Sequence, residues 1–434
     1  MMRLKFTCSL TWNLFIAKLS EMKLNLLILL ILVLGVLQVF GDSESKISFS
    51  VDQMGKLPTL DSVSENPGVA GVFSGMINDK LLIAGGANFP GKKPWEGGSK
   101  VFHDRIYVFQ VKEGRLELIS NTFSLPKPLA YGASVVLPDG ILCLGGNDQN
   151  SCFSDVFVMR WDHLQEEVIF DDYPDLPVPL SFTTAVRFNN EVYVVGGSSS
   201  ADGTDTGNHF FRLDLSRIGT PAFGWEELQE YPGPGRVFPV SVVQSNGTRP
   251  CVYLFSGRNV GAEGKIDVFK DGLIYDPVLN TWSRIAEETS PDFPFMAGSA
   301  FPVGANSIVF LGGASGELLL QEQDLKVRLH QAVAHNDTAG ISSLEEVLHR
   351  HATDHPGFSN KIQVYNTITK AITDLGAFET RFPVTTNAVP YGDGVILTSG
   401  EIKPGVRTPD IIRVKPIPQA FQFGWLNSAV IFIY

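Results

Sequence analysis

LLIAGG at residues 81–86 is the first of six apolar runs that each end in a pair of small residues. The other five are ILCLGG (141–146), VYVVGG (192–197), VYLFSG (252–257), IVFLGG (308–313) and VILTSG (395–400). Each run follows a segment of small residues, and most precede a segment with aromatic residues, such as DRIYVFQV at 104–111. Four antiparallel strands repeated about every 50 residues are typical of kelch propellers. The sequence therefore predicts an all-β, six-bladed kelch β-propeller.

The composition agrees with many short strands joined by turns. The 434 residues include 42 Gly, 26 Pro and 30 Phe, and only 18% are charged. The net charge is −12 and no Lys/Arg cluster interrupts the body, which argues against a nucleic-acid partner. The four cysteines are too few for a disulfide scaffold. Cys143 and Cys152 either pair across one loop or, as we favour, remain buried free thiols.

Two segments do not fit the regular repeat. Residues 321–355, between the fifth and sixth runs, have helical periodicity and many good helix formers. We interpret them as a helical insertion between the second and third strands of blade five, standing over one face of the propeller. Blade six lacks a clear fourth strand, whereas ISFSVDQMGKLPTL at 47–60 resembles a fourth strand without a blade. Pairing this N-terminal strand into blade six would close the ring and remove exposed edges.

The N-terminal part of the chain resembles a targeting segment. Residues 24–41 carry no charge and follow Met22-Lys23, so we interpret residues 1–41 as a leader and signal peptide. The length of residues 1–21 favours Met22 as the natural start. We expect cleavage; the alternative is an uncleaved anchor, because the run approaches the length of a spanning helix. Either outcome predicts an exported, periplasmic protein, in the second case tethered to the membrane.

Two longer segments show a family resemblance, namely residues 66–109 (NPGVAGVFSGMINDK through HDRIYVF) and GEIKPGVRTPDIIRV at 400–414. They resemble the kelch sialic acid mutarotases, also called N-acetylneuraminate epimerases, and specifically a cyclically permuted branch. The resemblance covers roughly residues 47–415, within a propeller domain that we bound at 42–415. It implies an isomerase that interconverts the α and β anomers of a keto-sugar acid and needs no cofactor.

The C-terminal residues resemble a different family. After the linker KPIPQ, AFQFGWLNSAVIFIY at 420–434 is similar to the start of the first transmembrane helix of a sodium:solute symporter. We therefore interpret residues 416–434 as a linker and the start of a membrane segment, from a truncated or split fusion to such a transporter. The run itself is too short to span a bilayer, and the alternative is an unstructured apolar tail.

Glu401 and Arg407 are the candidate catalytic residues. They follow the small pair of the sixth run, and Pro404 and Gly405 between them predict a rigid turn that folds both side chains over the central opening. A Glu/Arg pair on an ordinary loop is more often a solvated salt bridge. The family resemblance implies catalysis instead, with Glu401 as the base for the anomeric hydroxyl. Arg407 would bind the sugar carboxylate through its planar fork or stabilise the open-chain oxygen.

Weaker candidates for substrate binding lie on loops of the same face. These are Arg236 before blade four, Arg258 and Asn259 after its small pair, and the turn residues Asn88 and Asn147. A histidine cluster at His349, His351 and His355 lacks cysteines or well-placed carboxylates, so we expect no metal site. The alternative to an enzyme is a non-catalytic kelch propeller that binds a glycan or a protein.

Overall fold

Strands dominate the part of the chain described by the computed structural model, which covers residues 47–59, 65–261, 264–285 and 292–417. The first strands are β1 (Ser48–Lys56), β2 (Phe73–Ile77), β3 (Lys80–Ala84), β4 (Ala87–Asn88), β5 (Val101–Phe102), β6 (Arg105–Lys112), β7 (Arg115–Ser124), β8 (Ala133–Leu137), β9 (Gly140–Leu144), β10 (Val156–Asp162), β11 (Glu167–Tyr173), β12 (Thr184–Phe188), β13 (Glu191–Val195) and β14 (Phe210–Asp214). The remaining strands are β15 (Trp225–Glu227), β16 (Val240–Ser245), β17 (Pro250–Phe255), β18 (Arg258–Val260), β19 (Ile266–Val268), β20 (Gly272–Asp276), β21 (Thr281–Arg284), β22 (Ser299–Val303), β23 (Ser307–Leu311), β24 (Lys361–Asn366), β25 (Ile372–Ala377), β26 (Ala388–Tyr391), β27 (Gly394–Lys403) and β28 (Val406–Ile417). The helices are α1 (Glu317–Ala334) and α2 (Thr338–Thr353), with 3₁₀ turns at Pro94–Glu96 and Leu215–Arg217.

Six four-stranded antiparallel sheets form the blades. From the inner strand outward they are β2-β3-β6-β7, β8-β9-β10-β11, β12-β13-β14-β15, β16-β17-β20-β21, β22-β23-β24-β25 and β26-β27-β28-β1. The second strand of each blade is one of the six apolar runs of the sequence repeat. These strands are almost completely buried, as expected for segments covered on both faces. The predicted all-β, six-bladed propeller is confirmed.

The N-terminal strand closes the ring as predicted. β1 lies beside β28 as the outer strand of blade six, and the Leu57 N–H donates to the Pro409 carbonyl at 2.8 Å. Each inner strand contacts the inner strands of its two neighbours, and β26 contacts β2. This closure leaves no inner strand without a partner blade.

The small residue pairs lie where two blades meet. Gly85 has φ +69°, and a Cβ there would lie 2.2 Å from the Leu129 carbonyl oxygen of the next blade. Blades four and six carry Ser256 and Ser399 at this position, at φ 62° and 64°. The Ser399 hydroxyl donates to the Thr408 carbonyl at 2.6 Å and accepts from the Val69 N–H at 2.9 Å. These hydrogen bonds, one within blade six and one from blade one, offset the strain of a left-handed backbone in a residue with a side chain.

A closed ring of backbone hydrogen bonds surrounds the axis on one face. In the segment that leads into each inner strand, one residue has φ between 53° and 73°. Its N–H donates to the carbonyl of the equivalent residue in the neighbouring blade. The six donor–acceptor distances are 2.7 to 3.0 Å. The residues are Gly71, Tyr131, Phe182, Phe238, Ala297 and Thr385. This ring fixes the blades relative to one another at one mouth of the axis, and the sequence repeat did not predict it.

The helical insertion in blade five is confirmed, since α1 and α2 lie between β23 and β24. The Gln323 side chain on α1 accepts from the Ile266 N–H of blade four at 3.1 Å. At the other end, the Lys403 ammonium of blade six donates to the Thr353 carbonyl of α2 at 2.7 Å. The insertion therefore reaches from blade four to blade six across the face that carries the hydrogen-bond ring.

The three cysteines in the described part of the chain are free thiols, with Cys143 and Cys251 buried and Cys152 half-buried, so the alternative of a Cys143–Cys152 disulfide is wrong. One compact unit spans Phe49–Pro416. Among the residues that the structure describes, no helix is both long and apolar enough to cross a membrane. The predicted leader and signal peptide at 1–41 and most of the predicted C-terminal linker and membrane segment at 416–434 lie outside the described residues.

Candidate active site

Glu401 and Arg407 lie opposite each other on a β-hairpin. β27 continues past the small pair to Lys403 and β28 begins at Val406, so the residues expected on a loop are paired in register across two strands. Gly405 in the turn has φ +77°, and a Cβ there would lie 2.7 Å from the Pro94 ring of blade one. Packing of this turn against the neighbouring blade fixes the hairpin, and with it both side chains.

The Glu401 carboxylate is held through one oxygen. Oε1 accepts a hydrogen bond from the Gly405 N–H at 2.8 Å and lies 2.8 Å from Arg407 Nη1. Within the described part of the chain Oε2 accepts no hydrogen bond, and 18% of the surface of the side chain is exposed. A carboxylate with one oxygen fixed and the other open can accept a proton from a bound hydroxyl group.

The Arg407 guanidinium is buried but its donors are only partly used. Its side chain is 4% exposed, and its Cζ lies 4.8 Å from the centre of the Phe89 ring. Nη2 is 3.5 Å from the Tyr131 hydroxyl, a long contact. Nε and Nη1 make no well-aligned hydrogen bond to any described residue. The contact of Nη1 with Glu401 is therefore close enough for an ion pair but is not aligned as a hydrogen bond. Buried polar groups are normally hydrogen-bonded, so this guanidinium fits an anionic ligand.

An aromatic row lines the same mouth. Tyr131, Phe182 and Phe238 occupy the hydrogen-bond ring in blades two to four, with ring centres 5.0 and 4.8 Å apart. Blades one, five and six have Gly71, Ala297 and Thr385 at this position. One side of the mouth is therefore aromatic and the other side has small residues. These residues were not among the predicted site residues, although alignment of the repeats places an aromatic residue at the same position in three of six copies.

The position after each small pair marks the mouth in every blade. It forms an isolated bridge with the residue just before the hydrogen-bond ring, and its six occupants are Ala87, Asn147, Ser198, Arg258, Ala314 and Glu401. Only Arg258 and Glu401 carry a charge there. The structure thus places Arg258, a predicted substrate-binding residue, at the blade-four counterpart of Glu401.

Arg258 and Lys100 add positive charge to the mouth. The Arg258 Cζ lies 5.5 Å from the centre of the Phe238 ring, and burial lowers the pKa of this guanidinium from its usual value. The Lys100 ammonium lies 5.1 Å from the centre of the Tyr131 ring. Neither side chain forms an ion pair with any residue that the structure describes. Cations near a half-enclosed opening attract an anionic ligand in a chain whose net charge is negative.

Of the three candidate asparagines, Asn147 occupies the mouth position of blade two, and Asn88 and Asn259 lie one residue beyond that position in blades one and four. Asn88 is buried and bonds the Gly68 carbonyl and His103, and Asn147 is buried and donates to the Asp148 and Ala201 carbonyls. Asn259 follows Arg258 on β18, so its side chain points to the opposite side of the strand. The hydrogen bonds of Asn88 favour a structural role. Asn147 Oδ1 and Asn259 Oδ1 are buried and accept no hydrogen bond from a described residue, so substrate contacts of these two side chains stay predictions.

Arg236 lies in the interior rather than at the mouth. Its side chain is 1% exposed, and it donates to both carboxylate oxygens of Asp271 at 2.6 and 3.1 Å and to the Ser256 carbonyl at 2.9 Å. The other blades have a buried apolar residue or proline at this position: Val69, Leu129, Leu180, Phe295 and Pro383. Arg236, on the segment between blades three and four, therefore holds together the ends of the second and third strands of blade four, and these bonds favour a structural role.

Replacement of Arg236 by Met is expected to destabilise the protein without changing its ligand affinity. Removing one partner of a buried ion pair should lower the free energy of unfolding by about 3 kcal/mol. Chemical denaturation monitored by fluorescence would measure this loss. A weaker affinity for the keto-sugar acid that the sequence resemblance implies, in a variant that stays folded, would instead place Arg236 in the binding site.

Two further features of this region lie outside the site. The rings of His351 and His355 are 6.4 Å apart, and the described residues contain no group of three His, Cys, Asp or Glu arranged for a metal ion. A channel of 510 Å³ follows the axis and is lined by the inner strands, but not by Glu401 or Arg407. The charged residues of the channel lining are Arg187, which donates to the Asn189 carbonyl, and Asp393, which pairs with Arg413. We place the site at the mouth, because the Glu401 carboxylate beside the Arg407 guanidinium can transfer a proton there.

These features define a six-bladed β-propeller with a carboxylate–guanidinium pair at one mouth of its axis. The chain belongs to the N-acetylneuraminate epimerase family, whose sequence model matches residues 41–168 and 173–429.

Individual relatives match shorter stretches. The N-acetylneuraminate epimerase of Vibrio cholerae serotype O1 is 38% identical over 135 residues, which are 28% of this chain and 34% of that protein. Its namesake from Haemophilus influenzae (strain PittEE) is 24% identical over 259 residues, 59% of this chain and 62% of that protein. The chain thus spans less than two thirds of the length of these curated relatives. The solved structure of YjhT aligns with a TM-score of 0.55 at 14% identity, covering 83% of this chain and 99% of that one, which shows a shared fold.

Proposed function

We propose that this protein is a mutarotase that interconverts the α and β anomers of N-acetylneuraminate or a closely related keto-sugar acid. The observation that carries the proposal is the Glu401–Arg407 pair, in which one carboxylate oxygen is fixed and the other is open beside a buried guanidinium with unused donors. Membership of the N-acetylneuraminate epimerase family supports the choice of substrate.

The geometry supplies an acid/base route. Glu401 Oε2 takes the proton of the anomeric hydroxyl, the bond between the anomeric carbon and the ring oxygen breaks, and a keto group forms. The ring oxygen is protonated as it leaves, and the protonated Glu401 is the nearest donor available for this step. Rotation about the adjacent carbon–carbon bond and the reverse transfers close the ring on the other face. Each positioned proton transfer contributes roughly 10²–10⁴ to the rate.

Arg407 would hold the substrate during these steps. The sugar acid carries its carboxylate on the anomeric carbon, so a guanidinium bound to that carboxylate fixes the reacting carbon beside Glu401. The same fork can donate to the oxygen that gains charge as the ring opens. Phe89 and Tyr131 pack around the guanidinium and exclude water from it, which strengthens both interactions.

A time course starting from the pure α anomer tests the proposal against a propeller that only binds. A sialidase that retains configuration would release the α form, and NMR would follow the β form in a large molar excess of sugar over protein. The proposal expects conversion faster than in buffer, at a rate proportional to the protein concentration. Binding of the sugar with conversion at the buffer rate would support the non-catalytic alternative.

We further propose that the chain represents a cyclically permuted branch of the family, exported to the periplasm and working with a sodium:solute symporter. The outer strand of blade six comes from the N-terminal β1, which supports the permuted order. Export and the transporter rest on the sequences at 24–41 and 420–434. N-terminal sequencing of the native protein tests export, and an intact Met1 in the cytoplasm would contradict it. The DNA after codon 434 tests the transporter, and the absence of symporter helices there would contradict that point.

A further inference from the structure

Arg258 is a second cation at the mouth that the proposed chemistry does not use. It occupies the blade-four counterpart of the Glu401 position, whereas the other four blades have Ala, Asn or Ser there. Glu401 and Arg407 belong to the β27–β28 hairpin of blade six, so Arg258 faces the opening from a different side. Among the described residues no carboxylate lies within ion-pair distance of it.

The hairpin that carries Arg258 is held in place. β18 pairs with β19 through Val260, and the Gln323 side chain of α1 accepts from the Ile266 N–H and donates to the Gly264 carbonyl at 2.8 Å. The Arg258 N–H and carbonyl are both bonded to Val237, next to the hydrogen-bond ring. These contacts fix the backbone that carries Arg258, so that only the freedom of its side chain remains to be lost on binding.

The surroundings of Arg258 indicate the kind of ligand group that would bind there. Its guanidinium lies beside the Phe238 ring, at the far end of the aromatic row from Tyr131 and Arg407. A guanidinium next to an aromatic face fits a group that combines an acceptor oxygen with an apolar part. An acyl amide has both, a carbonyl oxygen and a methyl group. A free hydroxyl group would use the guanidinium and leave the aromatic face without a partner.

We propose that Arg258 and Phe238 form the subsite for the N-acyl group of the sugar, so that Arg258 determines specificity for N-acylated substrates. The inference rests on the proposed function, since Arg407 must hold the carboxylate at the other end of the row. The Arg258 guanidinium donates to the amide carbonyl, and the Phe238 ring packs against the acyl methyl group.

The test compares two substrates in the wild-type protein and in Arg258→Leu. One substrate is N-acetylneuraminate, and the other is the nine-carbon keto acid with a hydroxyl in place of the acetamido group. Losing a hydrogen bond to a charged donor should lower kcat/KM for the N-acetyl sugar by about 10- to 100-fold in the variant. For the hydroxyl analogue it should change by less than about threefold, so the wild-type preference largely disappears.

Arg413→Leu is the matched control. Arg413 also lies over an aromatic ring, with Cζ 4.7 Å from the centre of the Tyr391 ring. It is further along strand β28 than Arg407 and belongs to no part of the proposed site. It should keep the wild-type preference, and unchanged circular dichroism should show that both variants are folded. An unaltered substrate preference in Arg258→Leu would overturn this inference while leaving the mutarotase proposal intact. Absence of turnover of both sugars by the wild-type protein would overturn the mutarotase proposal itself.

Discussion

Replacement of Glu401 by Gln is expected to lower kcat for anomer exchange by about 10²–10⁴-fold, because the amide cannot accept the proton of the anomeric hydroxyl. The structure suggests that the substitution is tolerated. The Gln carbonyl oxygen can still accept from the Gly405 N–H, and the neighbouring Arg407 remains buried against Phe89. Loss of the charge opposite the buried Arg407 should lower the free energy of unfolding by up to about 3 kcal/mol, so circular dichroism must show that the variant is folded. NMR exchange rates measured at several sugar concentrations would give kcat and KM separately.

Asp393→Asn provides the control for this variant. Asp393 lies in the turn between β26 and β27, pairs with Arg413 of β28 at 3.1 Å, and is half exposed. The same acid-to-amide change should leave the exchange rate at the wild-type value. A Glu401→Gln protein that is folded and as active as this control would exclude Glu401 as the base.

Replacement of Arg407 by Met is expected to lower kcat/KM by about 10²–10³-fold, since it removes both the carboxylate anchor and a donor to the opening ring. Lys at this position should recover only part of the loss. A single ammonium cannot present two parallel donors to a carboxylate, and it lacks the planar face that packs on Phe89. The measurement is the exchange rate as a function of sugar concentration, together with binding of the sugar by calorimetry.

Arg413→Met controls for loss of an arginine that packs on an aromatic ring and pairs with a carboxylate. It should retain wild-type kinetics. If Arg407→Met binds the sugar and exchanges its anomers as fast as Arg413→Met, the guanidinium is a structural group and the assignment of the carboxylate site fails.

The repeat explains why so much of the fold could be predicted. Six apolar runs at regular spacing predict six buried second strands, and the missing fourth strand of blade six leaves one place for residues 47–60. The insertion was predictable because its 3.6-residue periodicity differs from the alternation of the strands around it. These features depend on local pattern and on the need to pair every edge, both of which a single sequence contains.

The site was only partly predictable because its geometry comes from contacts between blades. The Glu401–Arg407 pair followed from one motif, whereas the Tyr131, Phe182 and Phe238 row exists only when three loops are brought together around the axis. Arg236 shows the opposite case, in which the structure offers a structural role for a predicted site residue. A charged residue on a loop suggests ligand binding, but its partner Asp271 is 35 residues away and became visible only in the structure.

We propose above all that Glu401 makes this propeller a mutarotase. Exchange between the two anomers of N-acetylneuraminate at equilibrium tests this role of Glu401 most directly. NMR exchange spectroscopy detects this interconversion without any net reaction. We predict an exchange rate that rises linearly with wild-type protein and returns to the buffer value with Glu401→Gln, while Asp393→Asn matches the wild type. Exchange at the buffer rate with folded wild-type protein that binds the sugar would contradict the claim.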